Sequence, residues 1–314
     1  MQRRNDRVKA GTGFGRPVKS SLDVPVIPLL IPASLVTSLI FIFPLLVFLR
    51  FSFNHYVPQK VMEAAFTWEN YRRFFTNPYY LEILWRTIFT AFFSTLFTLI
   101  VSFPVAYYMA HTSAGIRSLM VILLVFPMMI GGVIRSMGWI GLLTERGLLN
   151  RIFLDLGLIA EPLKMLYTNQ AVIFVATTIE IPMMTITIEA TLETIHPDVE
   201  AAARNLGADK FNTLWRISIP LAMPGILAGT LLIFVQCMNT YTTSRMIGGP
   251  RLPMMAPALY GELTDNINWP FSAAIAMILL ILTLGITFAY SHMLEKRYLR
   301  AANIAAKEQK HGQP

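Results

Sequence analysis

Residues 200–220 read EAAARNLGADKFNTLWRISIP. Five charged residues, Glu200, Arg204, Asp209, Lys210 and Arg216, gather here between two long apolar runs. The whole chain of 314 residues is 54% hydrophobic and only 14% charged, with a mean hydropathy of +0.53. A soluble domain carries about a quarter charged residues, so this chain cannot cover a soluble surface. Charge is scarce, and its concentration in one short insert needs a reason.

The apolar runs set the frame. Residues 26–49, 87–109, 118–134 (continuing apolar to 143), 171–190, 217–244 and 266–294 hold no charge except Glu180 and Glu189 in the fourth. A membrane-spanning helix needs roughly 20 apolar residues. One such run could be a buried core helix; six predict an all-α polytopic membrane protein with six transmembrane helices. The first run exceeds the 7–15 residues typical of a signal-peptide core, lacks a small-residue cleavage site after it, and is read as a retained span.

With six spans both termini share a side. More than half of the 26 Lys and Arg residues fall on that side, in residues 1–24, at Arg117, in the insert and after residue 295. The positive-inside bias therefore places both termini and the insert in the cytoplasm. The net charge of +8 matches anionic lipid headgroups better than nucleic acid, because the basic residues are not interleaved with aromatics along one stripe. GTGFGRP at 11–17 does not fit a phosphate-binding loop. Cys237 stands alone in an apolar run and reads as a packing residue. Tyr56, Trp68, Tyr71, Trp85 and Trp269 read as an interfacial belt.

Within the insert, Val199, Ala202, Ala203 and Leu206 recur at i, i+3, i+4 and i+7, one face of a helix. Pro197 suits its first turn, Glu200 and Arg204 form an i, i+4 pair, and Gly207 supplies the stop. Asp209 caps a second short helix carrying Phe211, Leu214 and Trp215. Pro220 and Pro224 mark the entry to the next span. A generic loop needs none of this punctuation, whereas a helix offered to a partner's groove does.

The pattern Glu200-Ala201-Ala202, Gly207, and nine residues later Ile217-x-Ile219-Pro220 resembles the EAA loop, E-A-A-x-x-x-G…I-x-L-P, of the membrane subunits of ATP-binding-cassette (ABC) importers, the MetI-like permeases. Ile219 stands where Leu is usual. The resemblance covers nearly the whole chain. It is most similar to the first permease of spermidine/putrescine-type importers through residues 126–150, 166–172 (LYTNQAV), 246–250 (MIGGP) and 268–276 (NWPFSAAIA). It implies a six-span permease domain over 25–295 with its coupling loop at 191–220, flanked by basic cytoplasmic tails at 1–24 and 296–314. It assigns ATPase coupling to Glu200, Ala201, Ala202, Ala203, Arg204, Gly207, Asp209 and Pro220. It also implies an ABC ATPase dimer that binds ATP and Mg, a second homologous permease, and an extracytoplasmic solute-binding protein. No cofactor is expected in this chain, and no nucleic acid among its partners.

Charges within spans are expensive and mark pathways or partners. Glu180 lies mid-span with Pro182 just beyond it, so an ammonium contact and a salt bridge to Arg135 are both open. Arg135 and Trp139 share a face one turn apart, and Asn239 and Tyr241 are polar enough to line a vestibule. Gly225 and Gly229 are read as close helix packing. Polyamine-type cargo is favoured by the resemblance; iron, amino-acid derivatives, phosphonate and sulfate are alternatives. A membrane hydrolase would need H-E-x-x-H or G-x-S-x-G, and neither occurs. An ion-coupled secondary transporter accommodates Glu180 but leaves the insert unexplained.

Overall fold

The computed structural model describes the backbone of residues 26–311. The tail at 1–24 and its Gly-rich stretch lie outside the described residues. Contacts divide the chain into two units between Val47 and Phe48. The first holds most of α1 (Val26–Ser52), which is apolar around its whole circumference and exposed from residue 34 to residue 46. Only a lipid or protein partner in the membrane can cover such a helix.

The second unit begins at the end of α1, where Asn70 donates to the carbonyls of Ser52 and Asn54 at 2.8 and 2.9 Å. Asn70 belongs to α2 (Glu69–Thr76). Helix α3 (Pro78–Ala110) follows, capped by Asn77, whose side chain accepts from the Tyr79 amide. It starts nine residues before the apolar run at 87–109, because Glu82 pairs with Arg86 one turn on and keeps the extension helical. At 33 residues it is about 50 Å long, more than a bilayer core needs.

The third apolar run does not form one straight span. Helix α4 (Ala114–Met128) and α5 (Gly132–Leu143) meet at a break of three residues, Met129 to Gly131, with the axis bent by 91°. Pro127 and two adjacent glycines explain the break. Among the described residues, five helices are long and apolar enough to cross, and up to six spans result when this bent pair counts as one.

After α6 (Leu148–Asp155) comes α7 (Asn169–Leu192), capped by Thr168. Helix α8 (Pro197–Asn205) and α9 (Lys210–Thr213) occupy the insert. The expected separate second helix is instead continuous with the span: α9 widens into a π-helical turn over Leu214–Ser218 and runs straight into α10 (Ile219–Met238). The Ile219 amide reaches back to the Leu214 carbonyl, so the wide turn ends just before Pro220, which has no amide to offer. Another π turn, Ser244–Gly248, leads to α11 (Met255–Thr264) and α12 (Trp269–His311). The segment read as a tail after residue 295 therefore continues as helical backbone to His311.

Helices α3 and α7 form the centre of the bundle. Four side chains of α3, each one turn apart, face α7 at a constant offset of 79 residues. Thr90 donates to Asn169 Oδ1 at 2.9 Å, and Ser94, Thr98 and Ser102 reach the carbonyls of Ile173, Thr177 and Ile181 at 3.4, 3.5 and 3.2 Å. A constant offset means parallel axes, so both helices end at the same side of the membrane. Where no hydrophobic force separates helix from lipid, small residues and interhelical hydroxyls hold the pair. On the other flank α10 presents Gly225 and Gly229 to α7. A Cβ on Gly225 would collide with the Thr191 side chain, and one on Gly229 would sit 2.7 Å from the Met184 sulfur. The glycine pair is a packing face, as its spacing predicts, and Cys237 is buried in the same core.

Candidate functional site

The insert sits where α3, α7 and α10 come together. Gly207 has φ +89°, the left-handed turn its position requires. Asp209 caps α9 by accepting from the Asn212 amide at 2.8 Å. Arg204 lies 3.5 Å from the Glu200 carboxylate. These features match the sequence reading.

Most of the apolar stripe stays open to a partner, as a helix offered to a groove requires: Val199, Ala202 and Leu206 are exposed, Leu206 at 90%. Only Ala203 of that stripe is buried, together with Glu200, which is 6% exposed. Glu200 Oε1 accepts from Ser218 Oγ at 2.6 Å. Its Oε2 meets His111 Nε2 at 3.1 Å and accepts from the Tyr107 hydroxyl at 3.4 Å. His111 Nδ1 in turn faces the Tyr107 carbonyl at 2.8 Å, so both ring nitrogens point at acceptors. Four residues, 203–206, separate Ala202 from Gly207, where the resembled pattern has three. Relative to Gly207 the carboxylate stands one position early, which on an α-helix is a turn of about 100°. Ala201 takes the outward position and is exposed. Beyond the turn, Phe211 and Trp215 are 66% and 58% exposed with rings 6.0 Å apart. Pro220 is exposed at the start of α10.

A second clasp lies beside the first. Arg117 on α4 donates to the Met109 carbonyl at 3.2 Å, pairs with Glu193, and lies 3.6 Å from Glu189. Between the clasps is a cavity of about 220 Å³ lined by His111, Arg117, Glu193, His196 and Glu200.

At mid-membrane, Glu180 is the twelfth residue of α7, about 16 Å along its axis and halfway through a bilayer core of about 30 Å. Arg135 stands just past the α4–α5 break. Its Nη1 donates to the Ile179 carbonyl at 3.5 Å, its Nε is buried without a hydrogen-bond partner, and it is within electrostatic reach of Glu180. No hydrogen-bond donor among the described residues reaches the Glu180 carboxylate. Trp139 packs edge-on against Phe174 of α7 at 5.2 Å, holding α5 to the same helix. Asn239 folds back onto the Val235 carbonyl at 2.8 Å, and the Tyr241 ring packs against Tyr260 at 4.9 Å, tilted by 49°. The structure thus brings Arg135 and Glu180 together, while Asn239 and Tyr241 are engaged with Val235 and Tyr260 at the end of α10.

Sequence reasoning missed the opposite end. A cavity of about 780 Å³ opens there, lined by Glu145, Arg146, Lys164, Tyr167 and Arg251 among others. The LYTNQAV and MIGGP stretches meet beside it. The Tyr167 amide donates to the Ile247 carbonyl at 3.0 Å, and its ring fills the space a Cβ on Gly249 would take. Their glycine and aromatic residues were the available signal; their pairing was not legible. Of the belt aromatics, Trp68, Trp85 and Trp269 are exposed, while Tyr56 donates to the Asn266 carbonyl and Tyr71 meets Ser52. Among the described residues no cluster of three or more His, Cys, Asp or Glu could hold a metal ion.

Comparisons with known proteins agree with this geometry. Residues 80–298 match the family described as binding-protein-dependent transport system inner membrane component. The spermidine/putrescine transport system permease protein PotB of Escherichia coli (strain K12) is 33% identical over 239 residues, covering 75% of this chain and 86% of that one. The protein of the same name from Haemophilus influenzae is 30% identical over 224 residues, covering 71% and 78%. Among solved structures, a bacterial ABC transporter that imports the acidic polysaccharide alginate superposes with a TM-score of 0.72, covering 86% of this chain and 95% of that one. The same kind of transporter bound to a pentasaccharide-loaded periplasmic protein gives 0.67. Both are 16% identical, a likeness of fold.

Proposed function

The chain belongs to the family of binding-protein-dependent transport system inner membrane components and is a permease subunit of an ABC importer in the inner membrane; from that premise we propose that it forms half of a pathway for a polyamine-type cation. A second homologous permease completes the pore, and an extracytoplasmic binding protein delivers the cargo. A separate ATPase dimer binds ATP and Mg and grips the insert from the cytoplasm, where both termini also lie. The observation that carries this reading is the exposed apolar surface on the insert. Val199, Ala202, Leu206, Phe211 and Trp215 stand out from a polar loop just outside the membrane. A protein partner, not lipid, covers a patch so placed.

The cargo follows from the PotB relatives, which are named for spermidine and putrescine, and from Glu180. A carboxylate at mid-membrane without a hydrogen-bond donor attracts an ammonium group. Opening and closing of the ATPase dimer would swing α8, and with it the bundle, between inward and outward access.

The test is reconstitution of the full importer in proteoliposomes with labelled spermidine. ATP-dependent uptake that needs the binding protein supports the proposal. Uptake driven by an ion gradient without ATP would sink the importer mechanism, and ATP-driven uptake of another solute but not of polyamines would sink the cargo.

A further inference from the structure

The insert has two sides with different jobs, and Glu200 belongs to the inner one. Its carboxylate is buried and engaged by three groups on two other elements: Tyr107 and His111 at the end of α3, and Ser218 at the start of α10. Arg204 adds its charge from the same helix. The Glu200 carboxylate itself is buried, and the exposed side of α8 is carried by Asp198, Val199, Ala201, Ala202 and Arg204, with Leu206 just beyond its end. A buried carboxylate satisfied on both oxygens is a rigid joint, because losing it leaves its donors unpaired.

We propose that Glu200 is a positioning residue, which fastens the coupling helix to α3 and α10 and makes no docking contact with the ATPase. The proposal rests on the importer reading above. The joint has a defined continuation. Tyr107 and His111 close α3, α3 is pinned to α7 by hydroxyls at every turn from residue 90 to residue 102, and α7 carries Glu180. A push on Leu206, Phe211 and Trp215 therefore passes through Glu200 into the pair of helices that holds the mid-membrane charge. His111 takes a role the sequence did not reveal, as the group on α3 that receives α8. Its place, one residue after α3 ends, lets it reach the helix without entering the membrane.

The experiment uses the complete importer, with each variant first checked for its level in the membrane. Three readouts separate docking from transmission: the amount of ATPase that co-purifies, the ATP hydrolysis stimulated by the loaded binding protein, and the spermidine moved per ATP. Glu200→Ala and His111→Ala are expected to keep ATPase association while lowering spermidine per ATP by about tenfold, the usual size of a coupling loss. The double variant should be no worse than Glu200→Ala alone, since both remove one joint. Glu200→Gln, which still accepts from Ser218, should recover part of the coupling, and Leu206→Asp should lose association. Loss of ATPase by Glu200→Ala, as in Leu206→Asp, would make Glu200 a docking contact and overturn the proposal; so would unchanged spermidine per ATP. If the wild-type importer hydrolyses ATP but moves no spermidine, the cargo reading fails on its own. Stimulated hydrolysis then decides the matter, with its loss in Glu200→Ala expected and its retention overturning the joint.

Discussion

At the scale of single residues, charge in the wrong solvent was the most legible signal and its direction the least. Glu180 and Glu200 both stand out from the sequence, because a carboxylate at mid-membrane and a carboxylate beside an alanine run are each expensive or unusual. What the sequence could not show is which way each points. Glu200 points into the joint with His111, and His111 lies 89 residues away in the chain. Glu180 has Arg135 as the neighbouring cation, and its contact with cargo is part of the proposal. If a polyamine passes Glu180, Glu180→Gln removes the attraction and keeps the volume. Uptake at low spermidine should then fall by roughly tenfold, the worth of about one partly desolvated charge pair, while the co-purified ATPase is unchanged. Unaltered uptake kinetics in the reconstituted importer would rule out that role. Gly207 is a second residue-scale case. Nothing lies within 4 Å of a Cβ built there, so only its φ of +89° opposes a side chain. Gly207→Asp should destabilise the turn by about 1–2 kcal/mol, leave the chain in the membrane, and reduce uptake per ATP. Wild-type coupling in that variant would show that the turn tolerates strain.

Among elements, long apolar runs and their punctuation were readable, and the joints between runs were not. Six runs predicted six spans, but Pro127 with Gly131 and Gly132 bends the third by 91°, and no composition rule separates a kinked span from a straight one. The prolines at 220 and 224 looked like a boundary, yet a π-helical turn before Pro220 absorbs the missing amide and carries the helix on. The hydroxyls at 94, 98 and 102 went unread in the sequence and gain meaning only beside the parallel α7. The glycine pair on α10 was read correctly, because four-residue spacing of small residues has one common use in membranes. Its two members should nevertheless differ. A Cβ on Gly225 meets the stiff Thr191 side chain, with its Cβ at 2.6 Å, and the Thr187 carbonyl at 3.3 Å, whereas one on Gly229 meets chiefly the Met184 sulfur. Threonine and backbone cannot swing aside, and a methionine terminus can. Gly225→Ala should therefore destabilise the folded chain by about 1–3 kcal/mol, and Gly229→Ala by less. The thermal midpoints of the two variants in detergent measure the difference, and equal midpoints would contradict the packing argument.

For the whole molecule, the fold class followed from solvent arithmetic, and orientation is the property that charge counting addresses with the least support from packing. Arg117, Arg204, Lys210 and Arg216 cluster where α3 and α7 end, and the positive-inside rule puts that side in the cytoplasm. The opposite end also carries Arg146, Lys164 and Arg251 around its cavity, which weakens the asymmetry and makes the assignment worth measuring. Cys237 is 4% exposed within a span, so the native chain offers a quiet background for thiol labelling. Ala208 sits in the insert beyond one end of α7, and Lys164 in the loop before its other end, so a single crossing separates them. A membrane-impermeant maleimide applied to intact cells should label Lys164→Cys and not Ala208→Cys. Ala208→Cys should react only after the inner membrane is opened, and less readily when the ATPase is co-expressed, since Leu206 and Phe211 beside it are the surface the ATPase would cover. Labelling of Ala208→Cys in intact cells would reverse the topology. The exposed face of the insert would then look outward, towards the side of the binding protein and away from any source of ATP.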